Sequence, residues 1–368
     1  MYILGQPERI GHVAIELFFL RSIFPLRLFH IDIIYHSCKE MNPHVLAKFS
    51  KGMTLFEIDD IQLRAVGVCH LGVIEEKNRR YAFLDAVHLF SLLVDLGMHE
   101  RFDFFTLDEQ EKEVGLQLKK KLQIDEDAPV VTLHVRESHA PELNYHFFRN
   151  ATIEPYYPLI EQLLSEGYVV VRVGDKSMKP IAMTHKNLID APFHQHYTTL
   201  IEPYFIAISQ IFVCTASGPA SIAHAYKTPS LYVNCAVSAQ TFTHEHDLYV
   251  YKKYYSQQTG AELSYEQIAL SSLPQYAKCQ QYADSGIRLI ENTSEEIVAA
   301  FQEHRQRLNG TYVETQAINQ RFAEINQIAH IIRQKKLVYD QEKYYGHHLT
   351  KPNLSHEFVK MNPSFLYY

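Results

Sequence analysis

The stretch from residue 130 to residue 233 constrains this chain more than any other part of it. Residues 130–135 form a largely apolar run interrupted only by Thr132 and His134. Residues 156–166 follow at helical spacing and stop at Gly167, and residues 168–173 form a second apolar run with Gly174-Asp175 directly after it. The pattern then repeats as a helix over 198–208, a strand over 211–214, a helix over 219–226 and a strand over 230–233. Strands this apolar are covered on both faces, and strands alternating with helices of roughly ten residues build right-handed βαβ units on a parallel, doubly wound sheet. The expected fold class is therefore α/β.

The flanking segments read less sharply. Residues 1–118 predict a small α/β domain, with strands at 1–4, 31–35 and 54–58 and helices at 11–21 and 81–97. Residues 119–313 carry the βαβ array, entered through a charged helix over 108–121 and a linker near 125–129. Residues 314–368 predict a long amphipathic helix over 314–338 and a tail that cross back to the first domain. A chain of 368 residues accommodates two such domains.

Composition excludes several classes. With 46% hydrophobic and 21% charged residues, global disorder is ruled out. A net charge of −7 argues against a bulk nucleic-acid binder, which needs a basic surface for counterion release. Cys38, Cys69, Cys214, Cys235 and Cys279 form no CxxC pair and are odd in number, which predicts reduced thiols and a cytoplasmic protein. The most apolar stretch near the start, 13–20, contains Glu16 and ends at Arg21, short of the roughly 18 residues of a membrane span. Room remains for a peripheral association with the inner face of the cell membrane.

In an open α/β sheet the ligand lies beyond the carboxyl ends of the strands, so the loops there are the candidate site. After the first strand of the array come Arg136-Glu137-Ser138-His139, with Arg149-Asn150 closing the loop. After the second come Gly174-Asp175, and after the third Ser217-Gly218-Pro219-Ala220-Ser221. The last segment puts a permissive Gly and a first-turn Pro at a helix start, with the N–H groups of Ala220, Ser221 and Ile222 expected to face a phosphate. Alternatively, Ser217 simply caps that helix. Arg136 has the planar fork that grips a diphosphate, or it pairs with Glu137 on the surface. Asp175 is either an acceptor for sugar hydroxyls or a turn residue. His12, after Gly11 at the start of the first helix, is a general base or a histidine bonded to nearby backbone. The His194-x-His196 and His244-x-His246-Asp247 spacings lack any supporting metal motif, so no metal is expected.

Residues 213–234, VCTASGPASIAHAYKTPSLYVN, resemble the donor-phosphate region of GT-B glycosyltransferases of the heptosyltransferase type. Arg9-Ile10-Gly11-His12 resembles their Arg-Ile-Gly-Asp loop with His12 in the place of the catalytic Asp. His134-Val135-Arg136 is similar to the His-Val-Arg motif of fucosyltransferase-like GT-B enzymes, although His139 stands where an acidic partner is expected. Almost the whole chain resembles bacterial glycosyltransferase-like proteins of surface-polysaccharide loci. The shared stretches include Ile-Gly-His, His-Val-Arg-Glu, Arg-Asn, residues 171–175, Ser-Gly-Pro and Pro363-Ser364-Phe365-Leu366. The resemblance implies two Rossmann-like domains facing a cleft and a nucleotide-sugar donor in the second. His134, Arg136, Arg149, Asn150, Gly174, Asp175 and residues 217–221 would bind that donor. A glycan, lipid-linked or protein acceptor in the first domain would be deprotonated by His12 or Glu16, with inversion and without a cofactor. The rival reading is a non-catalytic nucleotide- or glycan-binding module on the same fold, distinguished by the absence of turnover.

Overall fold

A computed structural model describes residues 1–58, 73–76, 79–82, 86–98, 102–137, 146–238, 243–336 and 353–367. Ser138, His139 and Cys69 lie outside the described residues. The chain divides into two units: Met1–Thr106 with His224–Lys227, and Leu107–Ala223 with Thr228–Tyr368.

In the first unit, β1 (Tyr2–Leu4), β2 (Asp32–Tyr35) and β3 (Thr54–Glu57) form a parallel sheet in that order. The Ile10–Ile23 helix follows β1. Ten of its residues are buried, and apolar side chains ring it, as expected of a core helix rather than a surface one. Phe18 and Phe19 pack among Phe90, Phe102 and the edge of the His224 ring. The Pro43–Phe49 helix starts from Asn42, whose side chain accepts the N–H groups of His44 and Val45 at 3.1 Å each. The helix expected from residue 81 begins at Ala86 instead. Its expected first residues belong to β5 (Arg79–Ala82), which runs antiparallel to β4 (Val73–Glu76). A ladder supplied by a neighbouring strand outweighs local periodicity there.

The second unit is built on a seven-stranded sheet, parallel throughout, among the described residues. Its strands are β6 (Val130–His134), β7 (Val169–Arg172), β8 (Leu188–Asp190), β9 (Ile211–Cys214), β10 (Ser230–Cys235) and β11 (Leu248–Tyr251), with the late strand β15 (Asn353–Leu354) at one edge. The strands β6, β7, β9 and β10 are fully buried along their length, which explains their largely apolar character. A small antiparallel sheet of β12 (Lys253–Ser256), β13 (Ala261–Leu263) and β14 (Ile287–Ile290) follows β11 in the chain.

The Gln316–Lys336 helix and the tail were expected to return to the first domain, but both are part of the second unit. The helix packs on the Tyr265–Leu270 helix, where Tyr265 lies 4.7 Å from Phe322 between ring centroids. The tail pairs β15 with β11 and is anchored by Glu303, whose carboxylate accepts from Ser355 Oγ at 2.6 Å and from the His356 and Glu357 N–H groups at 3.0 and 2.9 Å. A buried carboxylate at the start of the His356–Met361 helix is the reason the tail stays there. No helix among the described residues is long and apolar enough to cross a membrane.

Candidate functional site

The strand order β15-β11-β10-β9-β6-β7-β8 places the crevice of the second unit. From β6 the chain winds outward through β7 and β8, then returns to β9 and winds the other way through β10 and β11. The loops after β6 and β9 therefore diverge at a topological switch point, the position where such sheets bind ligands. Both carry residues singled out above.

His134 ends β6, and its ring is buried. Its Nδ1 lies 3.1 Å from the Val173 carbonyl and its Nε2 3.0 Å from Ser217 Oγ. Burial pushes its pKa down to about 4, so the ring is neutral and carries a single N–H. A carbonyl only accepts, so the proton is at Nδ1, and Ser217 must donate its hydroxyl proton to Nε2. This bond spans the crevice. It also removes Ser217 Oγ–H as a donor to phosphate, leaving the serine to present oxygen lone pairs.

Arg136 is held on both sides. Its N–H donates to Thr215 Oγ1 at 3.1 Å, and its carbonyl accepts from the Ala151 N–H at 3.0 Å. Its Nη1 donates to the His146 carbonyl at 3.0 Å and to Asn150 Oδ1 at 2.5 Å. Arg149 Nε donates to the Ala216 carbonyl at 2.8 Å, and Lys252 Nζ donates to the Asn150 carbonyl. Three cationic side chains thus meet the turn at 146–150 and the segment after β9, an arrangement that an anion would stabilise.

Arg136 does not pair with Glu137. Glu137 turns inward to the buried Arg172, with Oε2 2.6 Å from Nη2, while Oε1 accepts the Ile153 N–H at 3.1 Å. Arg172 is completed by Asp190 at 3.1 Å and the Lys179 carbonyl at 2.6 Å. Adjacent residues on an extended backbone point to opposite sides, so Glu137 anchors the loop while Arg136 stays at the crevice.

The turn before the Pro219–Tyr226 helix differs from expectation. The N–H groups of Ala220 and Ser221 are taken by the carbonyls of Ser217 and Gly218 at 3.1 and 3.0 Å, the tight i→i+3 bonds common in a first turn. Among the described residues, the N–H groups of Ser217 and Gly218 themselves have no acceptor. The candidate anion donors therefore lie three residues earlier than the spacing suggested. Pro219 takes the first helical position, where its missing N–H costs nothing. Gly174 has φ +141°, and a Cβ there would meet Met178 Cε at 2.4 Å, so glycine is required beside His134. Asp175 accepts the Ser177 N–H at 2.7 Å and so acts as a turn residue.

In the first unit, His12 and Glu16 lie one turn apart on the Ile10–Ile23 helix, with Nδ1 2.8 Å from Oε1. Glu16 Oε2 accepts from Tyr2 OH at 2.8 Å. Glu16 is buried, whereas the His12 side chain is 32% exposed and its Nε2 makes no hydrogen bond among the described residues. His12 therefore bonds a side chain, the Glu16 carboxylate, rather than nearby backbone.

Sequence reasoning missed Thr215, Lys252 and Cys279, whose Sγ accepts the Phe148 N–H at 3.1 Å and steadies the same turn. Lys252 follows β11 at the carboxyl edge and would have been found had that strand been recognised. Among the described residues no three His, Cys, Asp or Glu side chains are grouped to hold a metal ion. The rings of His194 and His196 lie tilted to one another with centroids 5.6 Å apart, and His244 donates its N–H to Asp247.

No protein-family model matches the chain, and no curated protein matches it. Among solved structures it is similar to ADP-heptose LPS heptosyltransferase II of E. coli, with 16% identity over 64% of this chain and 86% of that one, at a TM-score of 0.38. A family 9 glycosyl transferase from Veillonella parvula gives 12%, 66%, 83% and 0.39 in the same terms. The iron-containing dodecameric glycosyltransferase TibC of enterotoxigenic E. coli gives 13%, 60%, 56% and 0.33.

The buried titratable groups of the second unit set a pH dependence. His134 and His304 are each pushed down to about 4 by burial, from 6.5. Their contribution falls as pH drops from 6.5 to 4, because the unfolded chain then binds the extra protons. Glu202 is pushed up to about 8 by burial and Asp175, and Asp247 to about 7 by burial. These two carry the opposite sign, since the native state keeps their protons up to about pH 8 and 7 while the unfolded chain sheds them near pH 4. The contributions offset one another between about pH 4.5 and 6.5. Stability is then expected to fall by roughly 2–3 kcal/mol from pH 6.5 to 8.5. Urea midpoints at the two pH values measure this, and an unchanged or higher midpoint at pH 8.5 would count against it.

Proposed function

We propose that this chain is a GT-B-type glycosyltransferase. It would move a sugar from a nucleotide-sugar donor to a glycan, lipid-linked or protein acceptor in bacterial surface-polysaccharide or glycoconjugate synthesis. The observation that carries the reading is the Arg136 guanidinium fixed at the switch-point crevice that also holds the open Ser217 and Gly218 N–H groups. The Arg fork matches two phosphate oxygens, and two successive N–H groups suit a third. Negative charge grows on the diphosphate as the anomeric bond breaks, and fixed donors of this kind stabilise it electrostatically. His12 would take the proton of the acceptor hydroxyl, whose oxygen attacks the anomeric carbon from the face opposite the diphosphate. The proposed reaction inverts the anomeric centre and proceeds without a metal.

A nucleoside diphosphate at about 100 times its Kd is expected to stabilise the protein by roughly 2.7 kcal/mol, and equally with Mg²⁺ or EDTA. Arg136→Ala should weaken that binding by roughly 1.5–3 kcal/mol, about 10- to 150-fold, with only partial recovery in Arg136→Lys. Calorimetric titration of UDP, GDP and ADP into the three proteins checks this. Binding by Arg136→Ala at wild-type strength would remove the phosphate site from this crevice. Tight binding of nucleotide sugars without any turnover would favour a sensing module instead.

A further inference from the structure

The Tyr2–Glu16–His12 chain of contacts defines how the first unit would handle a proton. Glu16 is 4% exposed and each of its oxygens is engaged, one by Tyr2 OH and one by His12 Nδ1, both at 2.8 Å. Ionised, a carboxylate accepts only, so the His12 proton sits on Nδ1, and the Nε2 lone pair is left for the half-exposed side of the ring. We propose that Glu16 and Tyr2 are positioning residues that hold His12 as a one-sided base whose proton acceptor is Nε2. The inference rests on the glycosyl-transfer reading for its substrate, though not for its geometry.

The acceptor O–H bond breaks and the proton moves to Nε2. The oxygen's electron pair forms the new bond to the anomeric carbon, and the electrons of the old carbon–oxygen bond leave with the nucleotide. The imidazolium so formed lies in the first turn of a helix, where the macrodipole disfavours a cation. Glu16 offsets that penalty and fixes the ring rotation and tautomer, as a carboxylate does for the histidine of a hydrolase triad. Tyr2, at the start of β1, fixes the carboxylate in turn. Buried and doubly bonded, Glu16 has no free oxygen with which to meet an acceptor itself.

The test uses the full chain labelled with ¹⁵N and needs no substrate in its first arm. Long-range ¹H–¹⁵N spectra, with the His12 ring assigned by its loss in His12→Gln, should place the neutral ring's proton on Nδ1. Glu16→Gln keeps an acceptor oxygen and should retain that tautomer, whereas Glu16→Ala should shift the proton to Nε2. In the second arm, nucleotide release from UDP-, GDP-, ADP- and CMP-sugars should show kcat reduced roughly 10- to 1,000-fold in Glu16→Ala at unchanged KM for the donor. Glu16→Gln should recover part of this loss, and Tyr2→Phe should lose less. A wild-type proton on Nε2, or a tautomer indifferent to Glu16→Ala, overturns the proposal. If no nucleotide sugar is turned over, the glycosyl-transfer reading fails while the spectra still decide the role of Glu16.

Discussion

Replacing His12 by Ala is expected to cut kcat by roughly 10²–10⁴, the usual contribution of a positioned general base. Binding of the nucleoside diphosphate should persist, because Arg136, Ser217 and Gly218 belong to the second unit and His12 to the first. The two measurements together separate lost chemistry from lost folding. His12 is partly exposed and holds one hydrogen bond, to Glu16, so its removal leaves little of the core disturbed. A His12→Ala protein within a few-fold of wild-type kcat would show that the proton goes elsewhere. His12→Asp, which restores the residue of the resembling Arg-Ile-Gly-Asp loop, is the informative companion. Its carboxylate is shorter and carries no imidazole, so partial recovery would show that a base at this helix turn is what the reaction needs.

The largest stability effect is expected at Arg172. Its side chain is wholly buried and holds Glu137 and Asp190 at once. Removing one partner of a buried pair strands the other charge, at a typical cost of about 3–5 kcal/mol. Arg172→Met should lower the stability of the second unit by that amount. The double variant Arg172→Met/Glu137→Leu should recover part of it, because no carboxylate is then left buried opposite an apolar chain. Burial already pushes the Glu137 carboxyl up, against the pull of Arg172, so the single variant should also become more sensitive to alkaline pH. Urea denaturation of the three proteins decides the matter, and a single variant as stable as the wild type would show that the pair contributes nothing. Because Glu137 adjoins Arg136, the single variant should bind nucleotide more weakly as well.

What was readable in the sequence follows the physics of each element. The strands β6, β7, β9 and β10 showed themselves because both faces are buried, which leaves largely apolar runs. Leu188–Asp190 and Ala261–Leu263 are three residues long and partly exposed, so neither period nor composition marks them. The carboxyl-edge rule located Arg136 and the Ser217 turn from topology alone. The rule gives no hydrogen-bond bookkeeping, and the donors moved from Ala220 and Ser221 to Ser217 and Gly218 once the first turn closed on itself. Glu137 looked like a surface partner for Arg136 because the buried arginine that claims it lies 35 positions along the chain. His12 and Glu16 were each named as a candidate base, and their i,i+4 spacing already implied that they touch.

The route of the chain through its sheets also bears on how the protein is made. Residues 224–227 complete the first unit, with the Ala225 carbonyl accepting the Phe105 N–H at 2.9 Å, so that unit waits for more than a hundred residues beyond Thr106. The second sheet also waits, since β15 lies beside β11 across about a hundred intervening positions. Pairings this distant in sequence are slow to form, because loop closure must precede any gain from contact. On a ribosome delivering the chain from its amino end, neither half can finish as it emerges. Until residues 353–357 arrive to cover β11 and engage Glu303, a nascent chain has an open strand edge, the feature that invites association with other chains.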